Sequence, residues 1–579
     1  MITKRDTPPR FQLFTPPSQH DTMLRRIRAG VRNINNFKRR HFTEIPGNSD
    51  ARFNVAKYFL EEDKVRNVRG NDDVAVRSDR RDFTYREIRD MSSTVSGYLS
   101  DEMNVQKGDR VLLCLDNSVD LIYSAFGTML SGAVLTMTVP NLPDKTFYEY
   151  MIEYTDTKLV ITTSSMYDRI CNIVSKNRKD VRVMISSDMI SGDASSSSSS
   201  TDTVANDMAA WFFTSGTTGP PKGCVHMQRD MAHAAHTYAR TIMGVQSDDI
   251  TMTTSPMTGP YVVRESNPVP THTLIKTSRR YAFQCNILYP FYAGASCIVH
   301  NSNPTNDVDE FLRIAGQHCP SIVSTTPKMI RSVLERSDES YVRESLASIR
   351  YLVTAGDVLP EALHTKWLAK YDKKLLDGLG NSEAFAFYIS NRLDDIVPGS
   401  IGTRVEGFDV ELVNESRAKI TTPNEPGEIR VRGPSVSTGY WGNQESQNGV
   451  FDSEGYFYTG DIATKDENDR FYLLGRVNDL ISMHTGKWRK LRVSFLELEN
   501  QILSSFDTIL DCAVCEGTAF VVSRHEKEES DLSIRNLLSS VSGGETYRVA
   551  FVNKIPRNAR DKIDRVRLRE MSSEMNDGG

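Results

Sequence analysis

The sequence predicts an α/β fold built on parallel sheets and divided into more than one domain. One observation is the alternation of strand-like and helix-like patterns between Lys107 and Thr163, which requires crossover connections and a sheet covered on both faces. Length is the second: 579 residues exceed one ordinary core, and 39% hydrophobic with 25% charged residues is ordinary for a large globular chain.

Within the alternating segment, Arg110 to Leu115 reads as a strand, Val119 to Leu130 as a helix and Gly132 to Val139 as a strand. Lys145 to Tyr154 follows as a helix and Leu159 to Thr163 as a strand. A serine run at Ser195 to Ser200 fits a flexible loop. Thr251 to Thr277, rich in Thr, Pro and Ser, reads as an inserted loop, and Tyr281 to Gly294, dense in aromatics, as a core helix ending in a turn. Helices and strands continue from Asp307 to Tyr371, with Arg350 to Thr354 a strand leading into Ala355-Gly356-Asp357. Gly427 to Gly433 reads as a strand, and Tyr456 to Asp461 with Arg470 to Arg476 as a hairpin around Asn468-Asp469. Ser494 and Glu497 form a capping box that opens a helix in the C-terminal part.

A net charge of −5 supplies no basic field for nucleic acid, no reader motif occurs, and no apolar run is long enough to span a bilayer. Small molecules are therefore the expected partners, with a homodimer left open. Eight cysteines without framework spacing suit reduced thiols inside a cell. Cys512 and Cys515 are expected in a buried strand rather than as a redox pair, and His233 and His236 as helix-surface residues rather than zinc ligands. From Met23 to Arg40 the chain is basic with no acidic residue, so residues 1–50 read as a basic extension. A solvated arm on a cytoplasmic protein and a mitochondrial presequence both fit it.

Three constellations carry chemistry. Trp211 to His226 joins an apolar strand to a loop in which Thr214, Ser215, Thr217 and Thr218 offer hydroxyls, Gly216, Gly219 and Gly223 let amides approach an anion, and Lys222 adds a charge. It reads as a phosphate grip, although its spacing is not that of a P-loop. Asp377 to Asn391 places Ser382 and Glu383 after glycines that let a loop pass close to a planar ligand. Asn553 to Arg565 is a basic segment containing Lys562.

These strings, in this order, resemble the adenylate-forming superfamily of acyl- and aryl-CoA ligases, luciferases and peptide-synthetase adenylation domains. The resemblance runs over roughly residues 50–570 and is nearest to benzoate-CoA ligases. It implies a large N-terminal adenylate-forming domain over 51–477, with parallel sheets and a β-rich part, hinged at Asn478 to a small mobile α+β domain over 478–579. It implies an AMP-forming acid-thiol ligase using ATP, Mg2+ and CoA on an aromatic acid. A medium-chain fatty acid, or a catalytically impaired nucleotide-binding descendant, are the alternatives. By the same resemblance Lys562, Glu383 and Ser382 are catalytic, with Glu383 the magnesium carboxylate. Thr214 to Gly219, Lys222, Gly356, Asp461 and Arg476 hold the nucleotide, and Tyr281, Ala355, Gly380, Ala386 and Phe387 line the acid pocket. Four departures stand out: Ala386 where benzoate ligases tend to have histidine, Asn478 at the pivot, Asp561 in place of glycine, and extra cations at Arg489 to Arg492 in the loop that meets CoA.

Overall fold

The computed structural model describes residues 51–577 except 61–69, 71, 141–144, 179, 192–200, 215–220, 259–260, 264–273, 277–279, 301–303, 305–306, 443–448, 478–494, 507, 516, 524–527, 543–545 and 558–562. Residues 1–50, the Asn478 pivot, the Arg489 to Arg492 insertion, Ser494, Asp561 and Lys562 lie outside the described residues, as does the Glu497 side chain.

Among the described residues, a six-stranded sheet is centred on Arg110–Cys114, which runs parallel to Val134–Thr138 on one side and to Thr157–Thr162 on the other. Arg182–Ile185 and Met208–Thr214 extend it in parallel, and Lys222–Met227 turns back antiparallel against Met208–Thr214. The crossover helix Val119–Leu130 has the predicted bounds. Ser118 caps it by accepting from the Leu121 amide, and every residue from Leu121 to Leu130 is buried, as expected for a helix enclosed on all sides. Lys145–Tyr154 is also the helix predicted. The strands differ from expectation by one or two residues: Val134–Thr138 begins late because Gly132, at φ 76°, makes the preceding turn.

A second, nine-stranded sheet contains Ser296–Val299, Ile250–Thr253, Ile322–Thr325, Tyr351–Thr354 and Lys374–Asn381 side by side and all parallel. Beyond Lys374–Asn381 the chain reverses into the antiparallel Ala386–Ser390. Thr251 to Thr277 is therefore not loop throughout. Ile250–Thr253 is a buried strand with β-branched residues at three of four positions, and Tyr261–Val263 pairs with Leu274–Lys276. Arg280 to Ala293 is one helical run with a π-helical middle, Gln284–Leu288, closed by Gly294 in the left-handed region at φ 71°. His233 and His236 also depart from expectation: both are half-buried. Burial pushes His233 down to about 4, and His236 Nδ1 lies 3.2 Å from the Tyr292 hydroxyl.

Asp409–Val413, Gly427–Arg432, Phe457–Lys465 and Phe471–Arg476 form a four-stranded antiparallel sheet, and the predicted hairpin is its last pair. In the C-terminal part, Ile509–Cys515 and Thr518–Ser523 form a hairpin turned at Gly517, with Arg548–Phe551 parallel to the second strand. Cys512 and Cys515 are core residues of this sheet, and the eight cysteines form no disulfide. No described helix is long and apolar enough to cross a membrane.

Candidate functional site

Parallel sheets present ligand sites at the carboxyl ends of their strands, where the chain leaves the sheet and backbone groups are unpaired. In the nine-stranded sheet those ends deliver the predicted Ala355, Gly356, Ser382 and Glu383 beside Ser255 and Thr325, which were not predicted. Ile250–Thr253 leads to Ser255, Ile322–Thr325 ends at Thr325, Tyr351–Thr354 leads to Ala355 and Gly356, and Lys374–Asn381 leads to Ser382 and Glu383.

Glu383 is 8% exposed and held at three points. Its carbonyl accepts from the Ser437 amide at 2.6 Å, the preceding Ser382 carbonyl accepts from His226 Nε2 at 2.8 Å, and its Oε1 accepts from the Tyr440 hydroxyl at 2.8 Å. Because a carbonyl can only accept, His226 carries a proton on Nε2, while its Nδ1 sits 3.3 Å from Asp230 Oδ2. Lys222 places its ammonium 5.2 Å from the centre of the Tyr440 ring, a cation–π distance. Thr214 and Lys222 face each other at the base of the antiparallel pair that flanks residues 215–220. Ser215 to Gly219 are outside the described residues; at the Lys222 end of this loop, the ammonium and the Glu383 carboxylate are joined through Tyr440.

Two further expected residues, Asp461 and Arg476, pair with each other. Arg476 Nε is 2.8 Å from Asp461 Oδ1, in the register that pairs these two residues across the hairpin. Asp461 is 4% exposed, and Arg476 also donates to the Thr459 carbonyl at 3.1 Å. Burial and then the Glu383 carboxylate push the Tyr440 hydroxyl far above its usual range, and the Arg476 guanidinium opposes them. Glu428, whose carboxyl is raised by burial, accepts from the Gly460 amide at 3.0 Å beside Asp461.

Around the expected acid pocket, the Tyr281 hydroxyl lies 2.8 Å from Ser255 Oγ and donates to the Thr325 carbonyl at 3.2 Å, the carbonyl that also accepts from the Ala355 amide. Gly356 adopts φ 92°, and a methyl group there would sit 3.7 Å from the Tyr281 ring. Tyr281, Ala355 and Gly356 are therefore brought together. Gly380 has a different role: a methyl group on it would overlap the Ala386 carbonyl, so glycine is what lets the two strands close. Ala386 and Phe387 are consecutive on a strand and face opposite ways. Phe387 stacks on Tyr238 with ring centroids 4.4 Å apart, on the core side, so it does not share a face with Ala386.

Sequence reasoning missed His226 and Tyr440 as supports, although His226 closes the Trp211 to His226 string. Their positions show only when Lys222–Met227, the 382–385 turn and the 437–441 segment are brought together. Trp441, stacked on Trp211 at 4.6 Å, closes the same junction.

The profile of the family described as AMP-binding enzyme matches residues 63–261 and 278–441, more than half of the chain. The chain belongs to this family. The break in the match falls on residues 262–277, within the Thr251 to Thr277 stretch expected as an inserted loop. Relatives of this AMP-binding enzyme include a benzoate-CoA ligase of Thauera aromatica, 25% identical over 84% of this chain and 90% of the relative. Another is a 3-hydroxybenzoate-CoA/4-hydroxybenzoate-CoA ligase of the same organism, 28% identical over 85% and 92%. In fold it resembles the anthranilate CoA ligase AuaEII in complex with anthranoyl-AMP, with a TM-score of 0.78 and 23% identity over 91% of this chain and 98% of that one. A benzoate CoA ligase from Burkholderia xenovorans LB400 superposes with a TM-score of 0.75 at 22% identity, over 89% of this chain and all of that one. The α/β fold, with a large N-terminal part and a smaller C-terminal one, is shared with these structures.

Proposed function

We propose that this AMP-binding enzyme is an ATP-dependent carboxylic acid-CoA ligase that activates a benzoate-like acid as its acyl-adenylate and transfers it to CoA. The observation that carries the proposal is the pair of linkages Lys222–Tyr440–Glu383 and Arg476–Asp461. In this reading the first belongs to the phosphate grip and the second to the ribose side of the nucleotide. The names of the relatives above support an aromatic acid and CoA as acceptor.

In this reading the acid's carboxylate attacks the α-phosphorus of ATP and pyrophosphate leaves; CoA thiolate then attacks the acyl carbon and AMP leaves. Thr214 to Gly219 and Lys222 restrain the β- and γ-phosphates, Ser382 lies beside the α-phosphate, Asp461 accepts from the ribose hydroxyls, and Lys562 opposes charge at the α-phosphate. Glu383 is the residue that would hold Mg2+. The donor set fits that ion, which prefers one or two carboxylates plus phosphate oxygens: Tyr440 engages Oε1, and no group of three or more His, Cys, Asp or Glu residues able to hold a metal occurs among the described residues. Bound there, the ion would neutralise phosphate charge. Tyr281, Ala355 and Gly356, which lie together, line the proposed acid pocket with Gly380, Ala386 and Phe387, and the proposed pivot is Asn478.

The test is to incubate the protein with Mg-ATP and a panel of benzoates and C4 to C10 fatty acids, with and without CoA, beside Lys562→Ala. CoA-dependent AMP release with benzoates, lost in the variant, is expected. Pyrophosphate release that ignores CoA would move the acyl acceptor elsewhere. ATP binding with no acid turned over would overturn the ligase reading.

A further inference from the structure

The C-terminal part meets the body of the protein through an alternating chain of four charges. Arg331, on the helix Pro327–Leu334, is ion-paired with Asp511 on the strand Ile509–Cys515. Asp511 Oδ2 accepts from Arg557 Nη2 at 2.8 Å, and Arg557 Nη1 lies 3.6 Å from Asp357 Oδ2. Each side contributes one cation and one anion: Arg331 and Asp357 from the body, Asp511 and Arg557 from the C-terminal part. The side chains of Arg331, Asp511 and Arg557 are no more than 17% exposed, so solvent and salt screen these pairs less than a surface bridge.

Both ends of the chain of charges matter for the site. Asp357 directly follows Ala355 and Gly356, the turn that packs on Tyr281. Arg557 forms an antiparallel bridge with Ile563, and the Asp564 amide donates to the Pro556 carbonyl at 2.9 Å. The stem that leads into and out of residues 558–562 is therefore closed, and it is tied through Arg557 to the site turn. Lys562 immediately precedes Ile563.

The apolar share of this junction is small. Among the described residues, Ala362 alone from before residue 478 joins the buried cluster of Phe495, Leu498, Ile502, Val514 and Val521. A contact that is mostly polar is reversible without exposing a large apolar face, whereas an apolar seam would fix the two parts together.

We propose that Arg331, Asp511, Arg557 and Asp357 form an ionic latch that holds the stem paired at Arg557 and Ile563 to the Ala355 to Asp357 turn for adenylate formation. These are positioning residues, with Asp511 the hub because it alone contacts a cation on each side. The inference rests on the ligase reading above and assigns the latch to its first half-reaction. Transfer of a finished acyl-adenylate to CoA does not require the latch.

The experiment compares wild type with Asp511→Asn, Asp511→Glu and Arg331→Gln. Adenylation is followed as acid-dependent exchange of pyrophosphate into ATP, transfer as thioester formation from supplied benzoyl-adenylate and CoA. Amide hydrogen exchange is followed over 355–357 and 553–557 in the ligand-free protein. Breaking a coupling of ordinary size should slow pyrophosphate exchange by about tenfold in Asp511→Asn and in Arg331→Gln, and leave transfer within about twofold. Amide exchange at both segments should quicken in the same two variants, and Asp511→Glu should restore each readout. Equal losses in both half-reactions, or unchanged amide exchange, would overturn the latch. If wild type exchanges no pyrophosphate with any acid, the ligase reading fails and amide exchange alone decides whether the latch exists. Arg331→Gln, altered on the other side of the junction, keeps the test valid should Asp511→Asn fold poorly.

Discussion

Tyr440 joins two parts of the site through different atoms: its hydroxyl donates to Glu383 and its ring faces the Lys222 ammonium. Tyr440→Phe removes the first and keeps the second. A hydrogen bond to a buried charged group contributes about 1.5–3 kcal/mol, so the variant should bind Mn2+-ATP about tenfold or more weakly, read by paramagnetic resonance of the ion. Unchanged affinity would mean that the hydroxyl does not orient the carboxylate. Asp377 offers a test by pH. Burial pushes its carboxyl up to about 7, with the Thr354 hydroxyl at 2.8 Å opposing the shift. The folded protein therefore keeps a proton that the unfolded chain loses near pH 4, and Asp377 subtracts stability as pH rises from about 4 to 7. His233 and His364, both pushed down to about 4 by burial, work the other way: their contribution is lost as pH falls from about 6.5 to 4. Comparing Asp377→Asn with wild type cancels the histidines, and the variant's relative stability should climb between pH 5 and 7. A flat difference across that window would contradict a neutral buried Asp377. Of these residues the sequence marked Glu383 by its motif; a lone tyrosine or aspartate in a strand carries no signal of what it will touch.

The Lys374–Asn381 and Ala386–Ser390 pair shows how an element sets the site. Gly380 faces Phe387 in register, and the space where its side chain would go is filled by the Ala386 carbonyl. Gly380→Ala must push the strands apart, at a cost of about 1–3 kcal/mol for overpacking a closed site, and the denaturant midpoint should fall accordingly. An unshifted midpoint would show that the pair has slack. Helix bounds such as Val119–Leu130 were legible because a serine cap and an apolar run mark them locally. The Ile250–Thr253 strand was not, since its four residues sit in a Thr-rich stretch and become strand only by pairing with Ile322–Thr325 and Ser296–Val299. The half-buried positions of His233 and His236 likewise depend on the packing around their helix.

Across the whole molecule, the proposed function assigns nucleotide binding and chemistry to different regions. Lys222, Glu383, Asp461 and Arg476 all precede residue 478, whereas Lys562 belongs to the C-terminal part. Lys562→Ala should therefore leave AMP affinity near the wild-type value, measured by calorimetry, and lower acid-dependent pyrophosphate exchange by about 10²–10³, the usual loss for one transition-state charge donor. Loss of AMP binding in that variant would place the lysine in the ground-state site instead. In the proposed reading the same separation accounts for the ionic share of the junction, since charged pairs part without exposing a large apolar face.

The sequence by itself determined the α/β class and the bounds of helices such as Val119–Leu130, because periodicity and caps are local properties of the chain. Tertiary structure alone decided that Tyr440 reaches Glu383, that Phe387 stacks on Tyr238, and that Asp511 stands between two arginines. Each of these contacts joins residues dozens to hundreds of positions apart, and the sheets, not the local sequence, bring them within bonding distance.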